Sequence, residues 1–303
     1  MNLSVIVPAY NSRSLSRSVE SIFVSLGNAR LSSEILVCDD CSSDDTMQEL
    51  RKKYPTVKVF SLSSRKGAAA ARNLGISNSG ADILFFMDSD ILLNNHTIKT
   101  MAEALKSADI VFPKITMESG RLFYPVLKQE ESYPIVSACF MMKKSSLSKM
   151  DEGFDEHYGT YLEDCDFFMR AKLTGLSASY CKEAHVVHVD KGERDFSERY
   201  FLELKNTLYG HAKLGKLPLR TGLYNPFSLR VYIKEVLYGL MNYAWFNWEK
   251  ADRDQVRLKG NRIFKGTGLS AIPIILRSIR SHSKDIKKTR KKAEEIRKFY
   301  GKS

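Results

Sequence analysis

No uninterrupted apolar run of about 18 residues occurs in this sequence, so no stretch of the kind that forms a membrane-spanning helix is expected. The start, Met1-Asn2-Leu3-Ser4, lacks the charged and apolar regions of a secretory leader and leads straight into a short strand pattern. Cysteine is scarce. The five residues Cys38, Cys41, Cys139, Cys165 and Cys181 are odd in number and sit mostly inside expected strands and helices, which fits reduced thiols in a cytoplasm rather than a disulfide framework. Cys38 and Cys41 have C-x-x-C spacing, but with no second pair and no neighbouring histidine they read as core and turn residues. Both glycine-rich phosphate signatures, G-x-x-x-x-G-K-[ST] and G-x-G-x-x-G, are also missing. Kinase, GTPase and dinucleotide-binding readings thereby lose their main support.

The 43% of hydrophobic and 27% of charged residues exclude a disordered chain and allow one large domain or two unequal ones. Charge is divided along the sequence. Residues 191–303 carry 26 Lys and Arg against 11 Asp and Glu, so the net +12 of the whole chain comes from this C-terminal third. Residues 1–190 are slightly acidic. A change of sign on this scale predicts two modules, 1–190 and 191–303, with different surroundings.

The first module alternates short β-branched runs with helical patterns. Strands are expected at 3–8, 34–38, 57–61, 82–87 and 109–113, and helices at 15–26, 44–53, 68–78 and 96–106. Continuous apolar strands separated by helices imply an α/β fold with a mainly parallel sheet covered on both faces. In such sheets the ligand crevice lies beyond the carboxyl ends of the strands. Three polar motifs fall at those ends: Pro8-Ala9-Tyr10-Asn11, Asp39-Asp40-Cys41-Ser42-Ser43-Asp44 and Asp88-Ser89-Asp90. Side chains two apart at a strand tip lie on one side, so Asp88 and Asp90 suit a hard cation, Mg²⁺ or Mn²⁺, held jointly with phosphate oxygens. A nucleoside diphosphate is the partner this implies. Asn11 and Ser42 to Asp44 are also good helix caps, yet all three motifs share one edge of one sheet.

Between them lies Arg65-Lys66-Gly67 followed by Ala68 to Ala71, Arg72 and Asn73. A glycine opening a helix of small residues would offer free N–H groups and a positive end to an anion, with Lys66 and Arg72 adding charge. The competing explanation is an Ala-rich packing helix. Further on, Glu163-Asp164-Cys165-Asp166 starts an amphipathic helix. Acids in a first helical turn are favoured by the macrodipole alone; the functional reading is a general base that takes a proton from an attacking hydroxyl.

Taken in order, Pro8-Ala-Tyr-Asn11, Asp39-Asp40-x-Ser-x-Asp44-x-Thr46, Gly67-x-x-x-Ala71-Arg72-Asn73-x-Gly75-Ile76, Asp88-Ser-Asp90 and Glu163-Asp164-x-Asp166 resemble a family 2 glycosyltransferase over residues 1 to 190. The resemblance implies a GT-A-type fold, a mainly parallel sheet flanked by helices, here with a C-terminal helical extension. It implies an inverting transfer from a UDP, GDP or dTDP sugar with Mn²⁺ or Mg²⁺. Pro8 and Asp40 would line the base pocket, with Tyr10, Asn11, Lys66 and Gly67 around the nucleotide. Arg72 would lie near base and ribose. Asp88, Ser89 and Asp90 would sit near ribose, metal and diphosphate, and Asp164 would be the base. Many similar enzymes also carry a histidine where His185-Val-Val-His188 closes a strand. His188 lies nearer the following loop, Asp190-Lys-Gly-Glu193, and is the candidate metal or diphosphate ligand; the family's glycine-rich form of that loop is missing.

The second module has no comparable motif. Helices are expected at 196–214 and 227–248, followed by a short apolar run at 269–276 and a basic tail at 284–302. Aromatic and apolar faces beside Lys and Arg suit an interfacial helix on an anionic bilayer, and equally suit packing on the catalytic module. Nucleic acid is not expected as a partner, because no recognition motif is present, and the sequence assigns no oligomeric state. The expected function is transfer of a sugar to a hydroxyl of a glycan or lipid-linked acceptor, at the cytoplasmic side and peripheral on the membrane. A sugar-1-phosphate nucleotidyltransferase is the rival enzyme, but its N-terminal Gly-rich segment ending in Lys is replaced here by Pro8-Ala-Tyr-Asn11. An inactive membrane-surface adaptor is the rival outside enzymes, opposed by the intact Asp88, Asp90 and Asp164.

Overall fold

The computed structural model describes residues 2–124, 134, 136–151, 153–189, 196–214, 273 and 275–281. Contacts divide the chain into two units, Met1–Lys191 and Gly192–Ser303. The first is built on a nine-stranded sheet in the order β3-β2-β1-β4-β8-β6-β9-β5, with β7 paired to β6. Its strands are β1 (Asn2–Ala9), β2 (Ser32–Asp39), β3 (Lys58–Ser61), β4 (Ile83–Met87), β5 (Ile91–Leu93), β6 (Ile110–Met117), β7 (Leu122–Tyr124), β8 (Cys139–Lys143) and β9 (Ala178–His188). Five helices accompany them: α1 (Leu15–Ala29), α2 (Thr46–Lys53), α3 (Ala68–Asn78), α4 (Thr97–Ala104) and α5 (Glu163–Leu173).

Residues 3 to 9 of β1 are all buried, because the strand lies between β2 and β4 and is covered on both faces. The pairs β1–β2, β1–β4 and β2–β3 are parallel. Beyond β4 the sheet becomes mixed: β8 runs antiparallel to β4 and β6, β5 antiparallel to β9, and β6 parallel to β9. Chain order turns from one side to the other at β1, the kind of switch point at whose strand carboxyl ends open α/β sheets bind ligands. The three polar motifs lie there.

Two packing features place the chemistry. On α3 the buried residues are Ala69, Ala70, Ala71, Arg72 and Gly75, and a side chain at Gly75 would overlap Ile6 of β1, so small residues bring the helix backbone close to the sheet. On α5, Phe167, Phe168 and Ala171 are buried; Phe167 stacks on Phe154 at 4.3 Å between centroids, Phe154 meets Phe86 of β4 edge-on at 5.7 Å, and Phe86 stacks on Phe140 of β8 at 4.7 Å. Such pairs each add roughly 0.5–1.5 kcal/mol beyond their burial. The start of α5 is thereby fixed against the end of β4.

In the second unit, α6 spans Phe196–Leu214, and a helical stretch covers 275–281. The expected helix at 227–248, the basic tail at 284–302 and the loop at 190–193 lie outside the described residues. No helix among the described residues is long and apolar enough to cross a membrane.

Candidate active site

At the end of β1 the chain turns through Asn11, whose φ of 45° is a left-handed conformation that asparagine tolerates. Asn11 joins two motifs: its N–H donates to Ser42 Oγ at 3.0 Å and its Oδ1 accepts from Ser43 N–H at 2.9 Å. Pro8 is buried within the strand opposite Cys38, and Tyr10 is exposed with the Arg65 guanidinium 4.2 Å from its ring centre. The Asp40 carboxylate accepts from Lys66 N–H at 2.6 Å and Gly67 N–H at 2.9 Å, using one oxygen for each. Each carboxylate oxygen has a further lone pair. The Lys66 side chain is exposed.

The start of α3 departs from the expectation of open N–H groups. Ala68 N–H donates to Thr160 Oγ1 at 3.3 Å and Ala69 N–H to the Gly159 carbonyl at 3.0 Å, because the segment before α5 folds over the helix terminus. Gly67, at φ 96°, is in van der Waals contact with Gly159, where a Cβ would overlap its backbone. The Ala68 and Ala69 N–H groups are thus engaged within the protein, and the terminus is a packed joint between motifs.

That joint carries Arg72, which is 3% exposed. Its Nη2 donates to Asp88 Oδ1 at 2.9 Å and its Nη1 to Glu163 Oε1 at 2.8 Å, while the guanidinium lies 5.2 Å from the Phe154 ring centre. Asn73 secures Phe154 in turn, accepting its N–H at 2.9 Å and donating to its carbonyl at 2.8 Å. Burial works against the charge on Arg72, but Asp88 and Glu163 more than offset it, and the group stays cationic. Burial pushes the Glu163 carboxyl up to about 7, with the Asp164 charge adding to the rise and Arg72 opposing it.

Asp164 is half-buried and accepts N–H groups of Cys165 at 2.8 Å and Ser137 at 3.3 Å. Burial raises its carboxyl, against the pull of Arg72 and these two donors. Asp166 is different: fully buried, it accepts from Arg170 Nε at 2.7 Å and Tyr158 Oη at 3.2 Å, and belongs to the scaffold. Before these acids stand Tyr161 at φ 70° and Leu162 at φ 67°, two successive bulky residues in the left-handed region. Strain of this kind costs about 1–3 kcal/mol per residue and marks places where the surrounding structure holds a special geometry.

At Asp88-Ser89-Asp90 the Ser89 carbonyl accepts hydroxyls of Ser14 and Ser18 at 2.9 Å and of Ser12 at 3.4 Å, anchoring the turn to the start of α1. Asp90 is 1% exposed, and its carbonyl accepts Val189 N–H at 2.7 Å, so pairing of Ile91 with His188 brings the two motifs together. His188 Nε2 lies 3.6 Å from Asp90 Oδ2, and its Nδ1 lies 3.1 Å from the Val189 carbonyl, which can only accept and so fixes a proton on Nδ1. At that separation His188 Nε2 and Asp90 Oδ2 could both ligate one cation, and an Mg²⁺ or Mn²⁺ site that takes one or two carboxylates and completes itself with substrate phosphates needs little more. Among the described residues no three acidic, histidine or cysteine side chains already form a cage. His185 has a structural place: it contacts Thr116 Oγ1 at 2.8 Å and Asn94 Nδ2 at 3.4 Å.

The family model described as Glycosyl transferase family 2 matches residues 4–173. The chain belongs to that family. Among curated relatives, the poly(ribitol-phosphate) β-N-acetylglucosaminyltransferase TarS of Staphylococcus aureus is 29% identical over 126 residues, which cover 40% of this chain and 22% of TarS. TarP of S. aureus, named for the same activity, is 26% identical over 202 residues, covering 59% of this chain and 61% of TarP. The chain thus aligns with about a fifth of the length of TarS. Of solved structures, S. aureus TarS residues 1–349 in complex with UDP-GlcNAc matches at a TM-score of 0.56 and 20% identity, covering 93% of this chain and 80% of that one. This likeness shows the fold.

Within this family 2 domain three contributors escape a reading of sequence pattern. Glu163 is read there as part of the Glu163-Asp164-x-Asp166 motif, but not as the partner of Arg72, although a buried Arg72 in a helix of alanines calls for a buried acid to hold it. Thr160 and Arg65 carry no signal of their own, since their roles arise from loops meeting in space.

Proposed function

We propose that this chain is an inverting, metal-dependent glycosyltransferase moving a sugar from a nucleoside-diphosphate donor to a hydroxyl of a glycan or lipid-linked acceptor. The observation that carries the reading is Arg72, which ties the Asp88-Ser89-Asp90 turn directly to the helix start bearing Asp164. Diphosphate-binding acids and a candidate base thus share one rigid junction. Asp164, oriented by the N–H groups of Cys165 and Ser137, accepts the acceptor hydroxyl proton as the new C1–O bond forms and the bond from C1 to the diphosphate breaks. Asp90 and His188, with Asp88, would hold Mn²⁺ or Mg²⁺, which supplies charge neutralisation on the departing diphosphate. The relatives named as N-acetylglucosaminyltransferases, and the structure of TarS in complex with UDP-GlcNAc, support UDP-N-acetylglucosamine as the first donor to try.

The basic second module supports placement at an anionic membrane surface on the cytoplasmic side, where a polymer or lipid-linked acceptor would be met. A panel of nucleotide sugars tested for protection against thermal unfolding with Mn²⁺ present examines the donor reading, since a ligand at 100 times its Kd adds about 2.7 kcal/mol. Protection by one of them is expected. No shift with any nucleotide sugar would overturn the reading.

A further inference from the structure

Arg72 is one cation shared by two acids on opposite sides of the site. Glu163, 5% exposed on α5, holds one arm of the guanidinium, and Asp88 in the β4–β5 turn holds the other. Among the described residues neither Arg72 Nε nor Glu163 Oε2 has a hydrogen-bond partner, and the junction is held by these two ion pairs and by the Phe154 ring against the guanidinium. The charges facing Glu163 are Arg72 from α3 and Asp164 from its own helix, while Asp88 faces Arg72 from beyond β4. From this geometry we propose that Glu163 is a positioning residue, acting through Arg72 to keep the Asp88 carboxylate available to a divalent cation. The proposal rests on the metal-dependent reading above and deepens it.

With Glu163 ionised, Arg72 is balanced from the far side, and its field opposes a cation at Asp88 less. If Glu163 is neutral, Asp88 alone answers the buried guanidinium, and an incoming cation must compete with a full positive charge 2.9 Å from the Asp88 oxygen. A unit charge several ångströms from a divalent ion, in a partly buried site, changes its affinity by about tenfold or more. Glu163 would therefore tune cation binding without touching cation, donor or acceptor.

The test is calorimetric titration of UDP at pH 8, on the alkaline side of the raised Glu163 carboxyl, over a series of Mn²⁺ concentrations, with wild type, Glu163→Gln and Glu163→Asp. Glu163→Gln is expected to need about tenfold more Mn²⁺ for half-maximal UDP binding, with unchanged UDP affinity in EDTA. Glu163→Asp, which keeps the charge, is expected to shift the requirement by less than threefold. An unchanged Mn²⁺ requirement in folded Glu163→Gln overturns the proposal, as does an equal shift in both variants. If Glu163→Gln does not fold, Glu163→Asp decides: it keeps the charge, so a requirement within about threefold of wild type supports the charge mechanism and a tenfold loss overturns it. Wild type binding UDP equally with Mn²⁺ and with EDTA would instead remove the metal reading itself, and this proposal with it.

Discussion

At the residue scale the account turns on carboxylates of unequal roles within one helix turn. Asp166 is consumed by Arg170 and Tyr158, Glu163 by Arg72, and only Asp164 is half-buried with backbone donors orienting it. Asp164→Asn should lower kcat by about 10²-fold or more while leaving donor KM nearly intact, as expected when a positioned base is lost; steady-state kinetics with a soluble acceptor measures both. A rate within threefold of wild type would remove Asp164 from the mechanism. The pH dependence follows from the raised carboxyls. Burial lifts both Glu163, to about 7, and Asp164 above their ordinary values, and a base works ionised, so kcat/KM should rise with pH through the acid side of neutrality. The linkage has the opposite sign: a raised folded pKa means the native state holds the extra proton, so stability falls as pH climbs from the unfolded carboxylate range toward 7. Glu163→Gln cannot lose that proton. Its melting temperature should fall less than that of wild type between pH 5 and 8, and parallel curves would contradict the assignment.

At the element scale the junction of α3 with the segment before α5 decides the geometry. Gly67 at φ 96° lies against Gly159, and Ala68 and Ala69 donate into that segment, so the helix that carries Arg72 is seated by backbone contacts. Gly67→Ala adds a methyl where there is no room and imposes an unfavourable φ, and should destabilise by at least about 1–3 kcal/mol; urea unfolding checks this, and an unchanged midpoint would contradict the packing. Much of this half was legible. The helix at 68–78 and the buried strand from Leu3 are written in small and β-branched residues, and the strand-end acids in their position after apolar runs. Elements β5 and β7 were not legible, since a three-residue strand has no period to read. Nor was the cap on α3, because residues 67 and 159 meet only after folding, and the sequence around Gly67 is equally that of an anion-binding turn. Arg72 shows the same limit: its type announces charge, but its ion pairs with Asp88 and Glu163 are fixed by the three-dimensional course of α5.

On the scale of the whole molecule, charge separates the modules. Over residues 284–292 of the tail, Lys284, Lys287, Lys288, Arg290, Lys291 and Lys292 stand against Asp285 alone. Each such cation near an anionic leaflet is worth about 1 kcal/mol, falling with salt. Truncation after Arg280 should reduce sedimentation with anionic vesicles while activity on a short soluble acceptor persists; a full-length protein that stays in the supernatant at low salt would contradict the membrane proposal. The central claim is that acids at the β4 tip bind a cation and diphosphate for transfer at Asp164. Its most direct test is UDP release from UDP-N-acetylglucosamine with Mn²⁺, comparing wild type with Asp90→Ala. The account predicts Mn²⁺-dependent release by wild type and a loss of about 10²-fold or more in the variant, because a metal at a departing diphosphate supplies several kcal/mol. Equal rates in the two proteins, or equal rates of wild type in Mn²⁺ and in EDTA, would contradict it.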